Sequence, residues 1–314
     1  LPPRLVNLFN ALVNTLEQVK PSLVVSFLDN ANILVSLAAT RFPGTKVVLS
    51  GRSQAPVDVP GFSTMLDFPV MQKLYLHTLQ SDDASLVCNS PSGQQSYSQW
   101  LEDSRQGTGF IENAVYLEKT EHLPIRRTLG CSESDRLVCG VMRLIDSKRP
   151  FDFVRAVHQS HLKFSDICAV IVGDGPMYAE VAEYIASLDA QAYIRLVGLQ
   201  ESALPYLAVS DAFLHTSCVE GTANVLLEAQ AMGLPVFAYD AQETRHAVRQ
   251  VELHMADDGD VDGLATLIAT RLVHRADKYT ADGKDLNDDI RMAREYLAQS
   301  DESKDNSLSV KRLG

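Results

Sequence analysis

Apolar positions recur along the chain in two alternating rhythms. Leu5, Leu8, Leu12 and Leu16 stand at helical spacing within residues 3–19 and predict an amphipathic helix. "SLVVSF" at 22–27 then reads as a buried strand, "ANILVSLAATRF" at 31–42 as a helix and "TKVVLS" at 45–50 as a second strand. A stretch rich in Gly, Pro and Ser follows at 51–69. After it come a helix around 71–80, the strand "SLVCNS" at 85–90 and a helix from about 92 to 103. Strand and helix in alternation are the pattern of a parallel sheet covered on both faces.

From 114 to 134 the pattern lapses into polar sequence without a period, the mark of an interdomain connection. The alternation then resumes more regularly. The strands are "RLVCGVM", "ICAVIVG", "YIRLVG", "AFLHTS" and "PVFAYD", and helices fall near 150–160, 177–188, 201–209, 222–232 and 242–250. A further helix fits 261–272, with Asp260 or Asp262 as its cap. The organisation predicted is a partial first domain over 1–115, a linker over 116–134 and a second domain over 135–275. A helix at 276–299 returning toward the first domain and a disordered tail at 300–314 complete it.

Composition adds limits. With 46% apolar and 22% charged residues, the 314-residue chain is that of a folded, non-fibrous protein of two domains. A formal net charge of −12 argues against a general binder of nucleic acid or anionic membrane and leaves room for a local basic pocket. Cys88, Cys131, Cys139, Cys168 and Cys218 are odd in number and scattered, without zinc spacing, which points to a reducing cytoplasm and no structural metal. No apolar run is long enough to span a bilayer.

In open parallel sheets, ligands sit beyond the carboxyl ends of the strands. The loops there are "RLIDSK", "GDGP", "GLQES", "TSCVEGTAN" and "DAQET". In "VEGTANVLLEAQAMGLPVF", Gly221 permits a tight turn after a strand, and a helix begins near Thr222 to Asn224. Its free N–H groups and positive dipole end suit a phosphate. Glu220 precedes that end and Glu228 lies two turns in. Carboxylates repel phosphate but accept hydrogen bonds from vicinal hydroxyls, so a sugar, a diphosphate and a ribose in that order would satisfy the pair. The alternative is a capping Glu220 and a solvent-facing Glu228. Arg143 and Lys148 follow the first strand of the same domain and would neutralise a diphosphate there, although such pairs are commonly surface charge. Gly173 and Gly175 would let backbone approach a ligand closely. His215, at a strand end, is more simply structural.

Taken in order, "RLIDSK", "VIVGDGP", "RLVGLQES", "LPYLAVSDAFLHTS" and "EGTANVLLEAQAMGLPVFAYD" resemble the donor domain of retaining glycosyltransferases of family 4, from about 137 to 272. "KPSLVVSFLDNANILVSLAA", "VVLSGRS", "LVCNS" and "FIENAV" resemble that family's acceptor half more weakly. The resemblance implies a GT-B fold: two Rossmann-like, doubly wound domains facing across a cleft, the first lacking its opening part. It implies transfer of a sugar from a nucleotide-diphosphate donor, UDP by family prevalence, to a saccharide or lipid-linked acceptor with retention and without a metal. The transferred group would be a hexosyl or N-acetylhexosaminyl unit. The setting implied is bacterial polysaccharide or glycolipid assembly in the cytoplasm, peripheral to the inner membrane face, with no nucleic-acid partner.

By the same resemblance, Arg143 and Lys148 hold the diphosphate, Glu220 contacts the donor sugar and Glu228 holds the ribose. Gly221, Thr222, Ala223, Asn224 and Val225 form the phosphate-binding helix start, and Leu199 and Gln200 meet the base. Met142 departs from the family glycine before the arginine, and Asn113-Ala114 from its Asn-Gly. Asp29, Asn30 and Arg52, at first-domain strand ends, are candidates for the acceptor side, and turn residues or surface charge on the other reading. A nucleotide-sugar binder without transfer is the competing class. A nicotinamide-dependent oxidoreductase would need a G-x-G-x-x-G that "VGDGPM" does not supply.

Overall fold

The computed structural model describes residues 3–59, 62–102, 108–115, 124–217, 223–249 and 251–272. The chain divides into two compact units, one reaching Asn113 and the other starting at Ala114.

The first unit is built on a four-stranded parallel sheet, β1 (Leu23–Phe27), β2 (Lys46–Gly51), β3 (Ala84–Cys88) and β4 (Thr108–Phe110), paired in that order. Its helices are α1 (Pro3–Val19), α2 (Asp29–Ala39), α3 (Phe68–Thr78) and α4 (Pro91–Trp100). Alternation along the strands sets the core. Val47, Leu49, Leu86 and Cys88 pack with Ile33, Met71, Tyr75, Tyr97 and Trp100, while Val48 and Val87 point to the opposite face with Ile111. Ser90 caps α4 by accepting from the Gly93 N–H at 3.1 Å.

The second unit has a six-stranded parallel sheet. In chain order the strands are β5 (Arg136–Val141), β6 (Ile167–Val172), β7 (Ile194–Leu196), β8 (Ala212–His215), β9 (Val236–Tyr239) and β10 (Leu253–Ala256). In space the order is β10-β9-β8-β5-β6-β7, so the order reverses beside β5. The helices are α5 (Ile125–Leu129), α6 (Pro150–Lys163), α7 (Tyr178–Ser187), α8 (Leu204–Ala208), α9 (Asn224–Ala231), α10 (Gln242–Ala247) and α11 (Val261–Arg271).

Every residue of β6 is buried, and its side chains divide between two cores. Ile167, Ala169 and Ile171 face Phe153, Val157, Val181, Leu264 and Ile268 of α6, α7 and α11. Cys168, Val170 and Val172 face Ile125, Leu129, Leu207, Leu226 and Ala229 of α5, α8 and α9. A sheet covered on both faces explains why these strands read as unbroken apolar runs. Asp260 is the cap of α11, accepting from the Gly263 N–H at 2.8 Å.

Two strands, β4 and β10, escape the periodicity, and α5 lies inside the stretch read as a linker. The α5 segment is anchored in the second unit. Arg126 is buried and donates to the Val209 carbonyl at 2.6 Å and to Asp211 at 3.2 Å. The rest of that linker, 116–123, and the predicted helix and tail beyond 272 lie outside the described residues.

Candidate functional site

The reversal of strand order leaves a crevice at the carboxyl ends of β5 and β8, the place such sheets put their ligands. A cavity of about 690 Å³ opens there, and all its walls belong to the second unit. It brings together Arg143 and Lys148 after β5, Gly173 after β6, Leu199 and Gln200 after β7, and Ala223, Asn224 and Val225 at the start of α9. These eight residues, all marked in the sequence, meet in one space, and Gly175 lines it as well.

Each wall has a local cause. Ala223 enters α9 with extended backbone (φ −70°, ψ 118°) and has no side chain able to cap the first turn, so nothing of its own competes for that turn's N–H groups. Gln200 turns its amide onto its own loop, donating to the Val197 carbonyl at 2.8 Å and accepting from the Tyr206 hydroxyl at 3.1 Å. Leu199 beside it is 79% exposed, an apolar side chain held out at the rim.

Both glycines line the cavity, and the fold has its own demand for them beside the expected approach of a ligand. Gly173 has φ +138°, and a Cβ there would meet the Met142 carbonyl oxygen at 1.9 Å. A Cβ on Gly175 would meet the Leu144 carbonyl oxygen at 2.4 Å. Both glycines are demanded by the neighbouring loop. Leu144 N–H donates to the Asp174 carbonyl at 3.0 Å and Met177 N–H to the Leu144 carbonyl at 3.2 Å. The 142–144 segment that presents Arg143 is therefore packed against the 173–175 turn. Met142, where the resembled family has glycine, keeps its N–H on the Val172 carbonyl at 3.0 Å, so its backbone continues the sheet.

Glu228 is not a wall of the cavity. It lies one turn into α9, on the same helix edge as Asn224. It is half-buried, and no hydrogen bond or ion pair reaches its carboxylate among the described residues. Burial raises its pKa above the usual glutamate value. Glu220, Gly221 and Thr222 lie outside the described residues.

The first-unit candidates separate. Asp29 is 4% exposed, and its Oδ1 accepts from the hydroxyls of Tyr75 at 2.7 Å and Tyr97 at 2.6 Å. It is a core carboxylate and is not presented to an acceptor, which corrects the sequence expectation. The physical reason is the turn into α2. Leu28 takes φ 75° there, and Asp29 then lies inside the unit against the tyrosines of α3 and α4. Asn30 is exposed and accepts weakly at 3.4 Å from Thr64 and the Met65 N–H. Arg52 hydrogen-bonds Asn113 and lies over the Phe27 ring, 5.3 Å from its centre.

Sequence reasoning set His215 aside as structural and did not single out Thr216 and Ser217. His215 ends β8 and Thr216 and Ser217 follow it; all three line the cavity while being 6%, 1% and 5% exposed. Thr216 and Ser217 belong to the flagged loop "TSCVEGTAN", which was the available signal. Among the described residues no three His, Cys, Asp or Glu side chains are grouped to hold a metal, and no helix is long and apolar enough to cross a membrane.

Comparison with known proteins places this domain. Residues 135–273 match the family model described as Glycosyl transferases group 1, and so make up a domain of that type. An uncharacterized glycosyltransferase, MJ1059 of Methanocaldococcus jannaschii, is 22% identical over 79% of the chain and 63% of its own length. N-acetyl-alpha-D-glucosaminyl L-malate synthase of Bacillus anthracis is 27% identical over 50% of the chain and 41% of its own. The Vi polysaccharide biosynthesis protein VipC/TviE of Salmonella typhi is 27% identical over 68% of the chain and 37% of its own. The chain thus spans less than two thirds of the length of these curated relatives.

Among solved structures, Anabaena Alr3699/HepE in complex with UDP superposes with a TM-score of 0.73 at 18% identity, over 95% of this chain and 82% of that one. A Rickettsia africae glycosyltransferase gives 0.72 at 18% identity, over 98% and 83%. The solved neighbours are GT-B glycosyltransferases, and the fold of this chain is the α/β fold with parallel sheets that they share.

Proposed function

We propose that the protein is a retaining glycosyltransferase. It takes a hexosyl or N-acetylhexosaminyl group from a nucleotide-diphosphate sugar, with UDP the preferred nucleotide, and passes it to a hydroxyl of a saccharide or lipid-linked acceptor without a metal. One observation carries this reading: Arg143 and Lys148 meet the start of α9 in one cavity, within a domain of the glycosyl transferases group 1 type. Two cations and a helix N-terminus fit the charge that develops on a departing diphosphate, held in place before the reaction begins.

On this reading Arg143, Lys148 and the backbone of Ala223 to Val225 hold the diphosphate. The base lies toward Leu199 and Gln200, where an exposed apolar side chain offers a stacking surface. Glu228 takes the ribose hydroxyls, and Glu220 the donor sugar. The acceptor hydroxyl attacks the anomeric carbon from the face the diphosphate leaves. Asn30 and Arg52 remain the proposed acceptor contacts of the first unit. The neighbouring HepE was solved with UDP, with UDP and glucose, and with UDP-glucose, which supports a uridine diphosphate donor. The Salmonella and Rhizobium relatives act in polysaccharide and lipopolysaccharide biosynthesis by name, which supports a glycan-assembly setting; the location we propose with it is cytoplasmic and peripheral to the membrane.

Calorimetry with UDP, followed by release of UDP from UDP-glucose and UDP-N-acetylglucosamine with and without glycolipid acceptors, tests the reading. Binding with donor turnover is expected. Absence of UDP binding overturns the site assignment, and binding without turnover of any donor reduces the protein to a nucleotide-sugar binder.

A further inference from the structure

The loop that carries Lys148 is tied down on both sides of that residue. It forms a single 3-10 turn, Asp146–Lys148, whose backbone bonds, Lys148 N–H to Ile145 and Arg149 N–H to Asp146, are internal to it. Two side chains register it on β8. Thr216 Oγ1 donates to the Lys148 carbonyl at 2.8 Å, and Ser217 Oγ donates to the Ser147 carbonyl at 3.2 Å. On the far side, Arg149 enters the left-handed region (φ 49°), and its guanidinium makes paired bonds to Asp258 at 2.7 and 3.1 Å.

Thr216 and Ser217 are walls of the same cavity as Lys148, and the chain that leaves them returns at Ala223, the N-terminal wall from α9. A short loop of polar residues has no ladder to hold it, so a few side-chain bonds from buried positions decide where its cation stands.

We propose that Thr216 and Ser217 are positioning residues of the anion site. Their hydroxyls lock the Lys148 loop to the end of β8, so that the cation and the start of α9 present one preorganised surface to a diphosphate. Neither hydroxyl needs to touch the ligand. This inference rests on the reading of the cavity as a diphosphate site.

The test is UDP affinity by calorimetry in wild type, Thr216→Val, Thr216→Ser, Ser217→Ala, Lys148→Ala and the double variant Thr216→Val/Lys148→Ala, with thermal melts of each. Valine keeps the shape of threonine and removes only the hydroxyl, taking the Thr216 bond away from the Lys148 carbonyl. Loss of one such buried bond corresponds to about a five- to tenfold weaker Kd. Thr216→Ser should restore affinity to within about twofold, and Ser217→Ala, with the longer bond, should lose about two- to threefold.

The double variant separates positioning from general support. If Thr216 acts through Lys148, adding Thr216→Val to Lys148→Ala costs nothing further. Wild-type affinity in Thr216→Val, or losses that simply add, overturns the proposal while leaving the diphosphate site intact. Should Thr216→Val fail to fold, Ser217→Ala and its double with Lys148→Ala decide the same question. Failure of the wild type to bind UDP overturns the site reading, and this inference with it.

Discussion

Two carboxylates in the two units have met the same problem and solved it differently. Asp29 at the start of α2 is buried and Glu228 within α9 half-buried, and burial raises the pKa of each. Asp29 has the hydroxyls of Tyr75 and Tyr97 on one oxygen at 2.7 and 2.6 Å. Asn32 completes the network, donating to the Tyr75 hydroxyl at 2.9 Å and accepting from Ser26 at 2.6 Å. Glu228 has no such partners among the described residues. A fully buried carboxylate needs partners from the protein, whereas a half-buried one can be met by water or by a ligand. In the first unit, protein hydroxyls offset the desolvation of a carboxylate. In the second, on the function proposed above, the vicinal hydroxyls of a ribose would take that place.

The comparison breaks most visibly at Asp29. Asp29→Ala leaves two buried tyrosine hydroxyls without an acceptor, at about 1–3 kcal/mol each. A loss of about 3 kcal/mol, read by denaturant or thermal unfolding, is expected, with UDP affinity of the folded protein unchanged. Asp29→Asn keeps an acceptor oxygen and removes the charge, and should be close to neutral. A loss of UDP affinity in either variant would mean that Asp29 belongs to the ligand site after all.

Glu228→Gln is the mirror experiment. Replacing charge-assisted bonds to two hydroxyls by neutral ones should weaken UDP binding about tenfold or more. The free protein should melt at the same temperature or on the order of 1–2 °C higher, because a half-buried charge is gone. A variant that binds UDP normally would return Glu228 to the solvent-facing role that its spacing alone also allows.

The contrast shows what could be read from the sequence. Both carboxylates looked alike there: acidic residues next to apolar runs, near strand ends. Their difference lies in tyrosines 46 and 68 positions downstream of Asp29, a separation no local period reports. The second unit was legible because both of its sheet faces are buried, so its strands are apolar throughout. Its cavity was legible because Arg143, Lys148, Leu199, Gln200 and Ala223 to Val225 all lie in the connections that leave strands or at the helix start that ends one. The elements that escaped are β4 and β10, of three and four residues, and α5, whose buried Arg126 is paired with Asp211 85 positions away. A buried arginine reads as surface until its partner is known.

Tyr97→Phe sharpens the comparison with a smaller effect. It leaves Asp29 one hydroxyl of two and should cost about 1 kcal/mol of stability, with the melt as the measurement. Tyr75→Phe should cost somewhat more, because Asn32 then loses one of its two acceptors and keeps only the Ser50 carbonyl. If both variants are neutral, the tyrosine hydroxyls do not offset the burial of Asp29, and the parallel with a ribose at Glu228 loses its footing.

The smallest effect expected is a pH dependence of binding. Burial raises the folded pKa of Glu228 above 4.5, and hydroxyl donors from a ribose favour the ionised form. A group with a raised folded pKa contributes stability that is present below its unfolded value and lost as pH rises through the folded one. In the free protein, then, the Glu228 charge is a cost at neutral pH. Ligand binding has the opposite preference: it draws on the ionised carboxylate, so UDP affinity should be full at neutral pH and fall as the solution is acidified through the raised pKa toward 4.5. Binding in that window should take a proton from Glu228, so the calorimetric heat should change with the ionisation enthalpy of the buffer. Glu228→Gln should abolish both the acid loss and the buffer dependence, while Asp29→Asn should alter neither. The two carboxylates share the direction of their pKa shift, and only the one whose hydroxyl partners come from outside the protein should report it in binding.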